Sequence, residues 1–550
     1  MKQKDKQMLM TEKVRGDTKT FLSGVCVLSL STVLVKVLGL ASKIPLIGKL
    51  GAEGMGYFNS AYEVYALLCV ISTAGLPTAL SILVSGEDRT TPEGSARIDR
   101  IYRSTFGVFA LLGLFGTAFL LFGSTFLSNA IKNPNARSSV LAIAPALLCV
   151  CVASAVRGYF QGLQRMTPTA ISQLIEAVGK LVFGVFFAER ALKRGADVSV
   201  AAAWAVLGIS LGCLLSAVYL LICKWTDNIR KKRFSQAVKK VDLRREAIKN
   251  LLKIAIPITL SSAVISMTRL VDMAMMIRRL QDVGLTAVEA NRIYGAYTTL
   301  AVPVFSLLPS LITPISLALI PQLNSAVGRG SKDGQKMAVE TSCRLTVLLA
   351  MPASMGIVLF SDPILSLLFS EETAAVSLCA PLLSVLGMSV LFSGLITTTN
   401  AILQSYRKVW FPILSMSVGV LVKAVSSYFL MGIPGIGAMG APISTFFCNI
   451  TVTAMNFWFI TRNNEFLSDG FGRIFLRPLL PSTASVLGAF AIYLLLRETI
   501  GKSLTLLVAI LVALILYFFF SVWFGAIRQE DLRLLPFGEK MMRKIKSNLQ

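Results

Sequence analysis

The sequence predicts an all-α polytopic membrane protein, and three observations carry that prediction. Of the 550 residues, 54% are hydrophobic and only 15% are charged, whereas soluble chains average about 25% charge. The mean hydropathy is +0.69. Apolar runs of roughly 20 residues recur along most of the chain, each long enough to cross the hydrocarbon core. About fourteen transmembrane helices are expected.

Taken in order, the basic opening over 1–19 reads as a cytoplasmic segment. No cleavage site follows the first apolar run, so an uncleaved first helix is expected. Spans near 20–47, 55–85, 101–126, 139–163, 168–190 and 199–223 make an N-terminal lobe over 20–223. The one long polar stretch between the ends begins at Lys224 and predicts a basic cytoplasmic linker over 224–249, suited to anionic lipid. Spans near 250–279, 292–324, 338–361, 375–404, 409–432 and 436–461 make a C-terminal lobe over 250–461. Two more, near 474–496 and 503–526, fill 462–526, and a basic tail over 527–550 follows. With both ends cytoplasmic, inner segments hold roughly 36 Lys and Arg against roughly 11 outside, the expected asymmetry. Prolines inside spans (Pro77, Pro145, Pro257, Pro303, Pro309, Pro314, Pro352, Pro412) each remove a backbone hydrogen bond and permit a bend.

The two arrays repeat. Gln161 ends one span, a basic turn follows, Pro168 opens the next and Lys180 lies 19 residues beyond the Gln. Gln404, the basic turn, Pro412 and Lys423 repeat that order with the same spacing of 19. Ala61-Tyr62 and Leu76-Pro77 correspond loosely to Ala296-Tyr297 and Thr313-Pro314. An even number of helices per unit gives both units one orientation. That predicts two six-helix lobes related by a pseudo-two-fold axis along the membrane normal, plus two C-terminal helices.

Composition narrows the function. The net charge is +25 with no histidine, which removes His-based catalysis and most zinc chemistry. The basic residues lie mostly in loops, where anionic lipid accounts for them, and no basic soluble domain suggests nucleic acid. Nine cysteines lie in or beside apolar segments without a metal or redox spacing. No metal or cofactor is expected.

Charges inside spans are costly and mark candidate sites. The basic ones are Lys36, Lys43, Arg157, Lys180, Arg269, Arg344 and Lys423, and the acidic ones are Glu63, Glu176 and Asp272. Lys36 and Lys43 are seven apart and share a helix face. Lys36 is mid-helix, without a carboxylate within a turn. Glu176 and Lys180 are four apart in the favourable order, and Arg269 and Asp272 are three apart. Either pair serves equally as structural glue. Arg157 and Lys43, near helix ends, fit snorkelling as well as function. The basic excess suits an anionic ligand such as a diphosphate. Lys36, Lys43, Arg157, Glu176, Lys180, Arg269, Asp272 and Lys423 are therefore the candidate cavity residues, with Glu63 and Asp272 as candidate coupling carboxylates.

At these residues the chain resembles a known family. Lys36-Val-Leu-Gly39, Lys43-Ile-Pro-Leu46, Leu50-Gly-Ala-Glu-Gly-Met-Gly56 and Ser72-Thr-Ala-Gly-Leu-Pro77 resemble the opening of the stage V sporulation protein B family. Pro168-Thr-Ala-Ile-Ser-Gln-Leu-Ile-Glu176 and Leu319-Ile-Pro-Gln-Leu323 fit the same family. It is similar to the MurJ-type lipid II flippases and the polysaccharide flippases of the multidrug/oligosaccharidyl-lipid/polysaccharide exporter superfamily. The resemblance implies a bacterial cytoplasmic-membrane flippase with two lobes, a central cavity and alternating access. It also implies an undecaprenyl-diphosphate-linked saccharide as substrate, with Lys36 in a cationic cavity. The second helix of each lobe lacks the mid-span arginines of the proteobacterial flippases, and Tyr297 stands near one such position. Coupling to H⁺, Na⁺ or membrane potential is open, and envelope-synthesis proteins are candidate partners. The alternative is a cation-coupled multidrug exporter of the same superfamily. A third reading, an envelope enzyme or scaffold, lacks an acidic external loop of the kind a glycosyltransferase needs, so a non-enzyme is expected.

Overall fold

The computed structural model describes residues 2–88, 91–232, 244–408, 410–463 and 471–526. Among them there is no strand. The α-helices are α1 (Lys2–Val70), α2 (Leu76–Ser85), α3 (Pro92–Ala130), α4 (Arg137–Gly162), α5 (Thr167–Lys193), α6 (Val198–Lys232), α7 (Arg244–Asp282) and α8 (Ala287–Ala296). They continue as α9 (Val302–Gly328), α10 (Lys332–Leu368), α11 (Thr373–Ser405), α12 (Trp410–Met431), α13 (Gly440–Asn463), α14 (Phe471–Ile500) and α15 (Lys502–Trp523).

Twelve helical segments are long and apolar enough to cross a membrane, or thirteen with one bent pair, among the described residues. The twelve follow the third to fourteenth expected spans. The first two expected spans fall in the run from α1 to α2. That run breaks at Gly51, whose φ of 64° favours a residue without Cβ. It bends again by 51° between Val70 and Thr73. The bend has a cause in the sequence. A π-turn spans Ile71–Gly75, and Pro77 follows two residues later. Proline cannot donate to the carbonyl four residues back and its ring crowds it, so the preceding turn widens. The same arrangement recurs at Tyr297–Ala301 before Pro303. In α10, Phe360 leaves helical geometry three residues before Pro363.

Helix ends follow local chemistry. Thr91 accepts from the Gly94 amide at 3.1 Å, with Pro92 opening α3. Ser331 does the same for α10, accepting from Gly334 at 3.2 Å. Thr286 and Glu289 form a reciprocal capping box before α8, at 2.9 and 3.2 Å.

The chain divides into two compact units, Met1–Arg278 with Thr286–Gly295, and Arg279–Leu285 with Ala296–Gln550. Within the first, α5 packs on α6, and α4 packs on α3 and α6. Gly208 lets α6 approach α5 closely, since a Cβ there would lie 2.3 Å from the Gly184 nitrogen. Leu80, Phe109, Val156, Tyr159, Leu220 and Leu251 fill this unit's core. The start of α8 docks on α1 through Asn291, which donates to the Glu53 carbonyl and accepts from Asn133, both at 2.8 Å. Phe115, Phe119, Phe122 and Phe126 line the outside of α3. Spaced three or four apart and largely exposed, they make a lipid-facing stripe.

Residues 233–243 of the expected linker and the tail 527–550 lie outside the described residues. The linker's first residue, Lys224, is built into the first unit. It is buried, pairs with Asp99 at 3.0 Å and sits 3.6 Å above the Tyr159 ring. In the second unit, Val339, Cys343, Val347, Leu395, Ile402 and Ile460 form the main core. The last two helices pack on α10 through Phe360, Val486, Tyr493 and Leu506. Tyr517 adds a hydrogen bond to the Leu348 carbonyl at 2.6 Å.

Candidate substrate site in the first unit

Two charge clusters form in the first unit. The tighter one joins α4, α5 and α6. Arg157 Nη2 donates to Glu176 Oε2 at 2.9 Å and to Ser216 Oγ at 3.0 Å, and its Nε donates to Ser172 Oγ at 3.0 Å. Lys180 Nζ donates to Glu176 Oε1 at 2.7 Å. One carboxylate thus serves two cations, using both oxygens. All three side chains are largely buried, at 12% exposure for Arg157, 16% for Glu176 and 26% for Lys180. Arg157 therefore does not snorkel to an interface. It is fixed by a carboxylate and two hydroxyls.

The wider cluster involves α1 and α7. Lys36 and Arg269 are both exposed and close enough for their charges to interact. Lys43, half-buried, feels both Glu63 and Arg269. Tyr62 links the clusters, standing within electrostatic range of Lys180, Glu63 and Arg269. Asp272 is half-buried one turn from Arg269 on α7. Five basic side chains (Lys36, Lys43, Arg157, Lys180, Arg269) thus accompany three carboxylates (Glu63, Glu176, Asp272), leaving a positive surplus on one unit. Lys423 lies in the second unit, buried in α12.

Sequence reasoning missed Tyr62, Ser172 and Ser216. Ser172 carried a signal, because the repeat's offset of 243 places it on Ser415. The same offset sets Arg157 on Asn400, Glu176 on Gly419 and Lys180 on Lys423. Around Ser415 and Asn400 the second unit builds a hydrogen-bonded group of amides and hydroxyls. Asn456 accepts from Ser415 at 2.6 Å and donates to Asn400 at 2.8 Å and Thr399 at 2.9 Å. Among the described residues, no group of three or more Cys, Asp or Glu is placed to hold a metal ion.

Comparison with known proteins agrees with this architecture. The chain is 26% identical to stage V sporulation protein B of Bacillus subtilis (strain 168), over 80% of this chain and 83% of that protein. It is 25% identical to the lipid II flippase MurJ of the same organism, over 74% of this chain and 76% of that protein. A solved structure of lipid II flippase MurJ, in an inward closed conformation, has the same fold with a TM-score of 0.68. It is 15% identical, covering 91% of this chain and 99% of that one. The MatE family model matches residues 257–429. The Polysacc_synt model, described as polysaccharide biosynthesis protein, matches residues 21–327, more than half of the chain, and the protein belongs to that family.

Proposed function

We propose that this multi-pass membrane protein is a flippase. It moves an undecaprenyl-diphosphate-linked saccharide across the bacterial cytoplasmic membrane by alternating access. The observation that carries the reading is the positive surplus in the first unit, where Lys36 and Arg269 are both exposed and their charges act on each other. Two exposed cations within electrostatic range in a spanning unit repel each other, and a dianionic diphosphate relieves that repulsion. The diphosphate and sugar hydroxyls cannot cross hydrocarbon unaided, because they would lose their water. A wet basic surface, exposed to each side in turn, removes that barrier while the prenyl tail stays in lipid. The process makes and breaks no covalent bond, so the protein acts as a carrier and not as an enzyme. Both termini face the cytoplasm in this reading. The names of the similar Bacillus proteins support it.

A second reading, a cation-coupled drug exporter, is favoured by the MatE match over residues 257–429 and by Glu63 near Lys43. The ligand separates the two. Depleting the protein should leave a lipid-linked diphosphate precursor on the cytoplasmic face of the membrane. Accumulation of a lipophilic cation in the cell, with no precursor build-up, would support the exporter instead.

A further inference from the structure

We propose that Glu176 is a resident counter-anion. It holds the Lys180 ammonium while the site is empty, and an arriving anionic head group takes its place on Lys180. The inference rests on the flippase reading of the same site and adds how that site selects anions.

The geometry gives the three side chains unequal freedom. Arg157 is held by Glu176, Ser172 and Ser216, with every contact between 2.9 and 3.0 Å. Lys180 is the most exposed of the three and meets the opposite oxygen of the carboxylate. Its charge acts on Tyr62, on which the charge of Arg269 also acts more weakly. An ammonium on a four-carbon stem can turn from one oxygen to another without moving its backbone, whereas a guanidinium anchored at three points cannot.

The charges then balance before and after exchange. In the empty site, Glu176 is shared by Arg157 and Lys180. With a diphosphate beside Tyr62, Lys180 pairs with a phosphate oxygen and Glu176 remains on Arg157. No buried charge is left alone, so exchange avoids the large desolvation cost of an unpaired ion. A neutral head group offers Lys180 nothing to replace the carboxylate. Glu176 therefore sets a threshold that only an anion passes. At the equivalent positions the second unit carries Asn400 and Gly419. No carboxylate therefore stands at the second-unit position that matches Glu176.

The test uses the full chain in lipid nanodiscs and inorganic pyrophosphate as probe, with binding measured by calorimetry. Glu176→Gln should bind pyrophosphate roughly ten-fold more tightly than the unaltered protein, because the competitor is gone. Glu176→Gln with Lys180→Gln should lose that gain. Glu176→Gln strands Arg157 and can fold poorly. Arg157→Asn with Glu176→Gln removes both buried charges, follows the chain's own Asn400, and should show the same gain. No gain in either Glu176 variant overturns the inference, as does a gain that survives loss of Lys180. Binding that Lys36→Gln abolishes and that ignores Glu176 overturns this inference alone. Absence of pyrophosphate binding in the unaltered protein and every variant overturns the flippase reading with it.

Discussion

Arg157 and Glu176, on different helices and 19 residues apart in sequence, meet at 2.9 Å inside the first unit. The turn over 163–166 brings α5 back beside α4, and Ser172 and Ser216 complete the guanidinium's shell at 3.0 Å each. This contact ties three helices together and fixes the carboxylate that Lys180 uses.

The contact predicts strong non-additivity. Arg157→Gln or Glu176→Gln alone leaves a largely buried charge without its partner. The double substitution removes both. In a double-mutant cycle followed by thermal unfolding, the coupling should be about 0.5–3 kcal/mol, the range for residues that touch. Additive losses would show that the pair contributes nothing as a pair.

The helix packing predicts a contrast between two glycines. A Cβ at Gly208 would sit 2.3 Å from the Gly184 nitrogen, whereas at Gly107 nothing lies within 4 Å. Gly208→Ala should push α5 and α6 apart and cost about 1–3 kcal/mol, as overpacking does. Gly107→Ala should be neutral, or stabilising by up to about 1 kcal/mol through helix propensity. Unfolding midpoints in one detergent check both. Equal midpoints would contradict the close approach.

How much of this was legible in sequence depends on the interaction. Apolar runs announce spans, because the hydrocarbon thickness sets their length, and twelve of the expected spans appear as helices. The Glu176–Lys180 pair was legible because four residues on one helix fix its geometry. In sequence Arg157 fits snorkelling equally well, because its partners Ser172, Glu176 and Ser216 sit on other helices and only tertiary packing joins them. Tyr62 gave no sign of its place among these charges, since a tyrosine in an apolar run is ordinary core. Lys224 read as the start of a solvated linker. Its burial depends on Tyr159 and Asp99, which sequence distance hid.

Orientation gives a third prediction. Lys and Arg asymmetry places the loop at 280–291 outside and the loop at 326–336 inside. In a cysteine-free background, Asp282→Cys should react with an impermeant thiol reagent applied to intact cells, and Ser331→Cys should react only after lysis. The reverse pattern would invert the orientation. These positions flank α8–α9, so one comparison reports on that whole crossing.

Arg269 gives a fourth. Asp272 follows it by one turn, so Arg269 either serves Asp272 or serves the substrate. Arg269→Gln should lower transport roughly ten- to a hundred-fold, and adding Asp272→Asn should not restore it. Restoration by the double substitution would make the pair structural. Cell growth or precursor flipping in matched amounts of membrane-inserted protein reads the difference.

In the proposed flippase the basic cluster of the first unit binds the lipid-linked diphosphate, and Lys36 is the residue whose loss should show it. It is exposed, on the same helix face as Lys43, and within range of Arg269. The measurement is the flipping rate of a fluorescent undecaprenyl-diphosphate-linked saccharide in proteoliposomes, at limiting substrate. Lys36→Gln should lower it roughly ten- to a hundred-fold, the effect of losing one charge-assisted contact worth about 1.5–3 kcal/mol. A folded, inserted Lys36→Gln protein that flips this lipid at the unaltered rate would contradict the account.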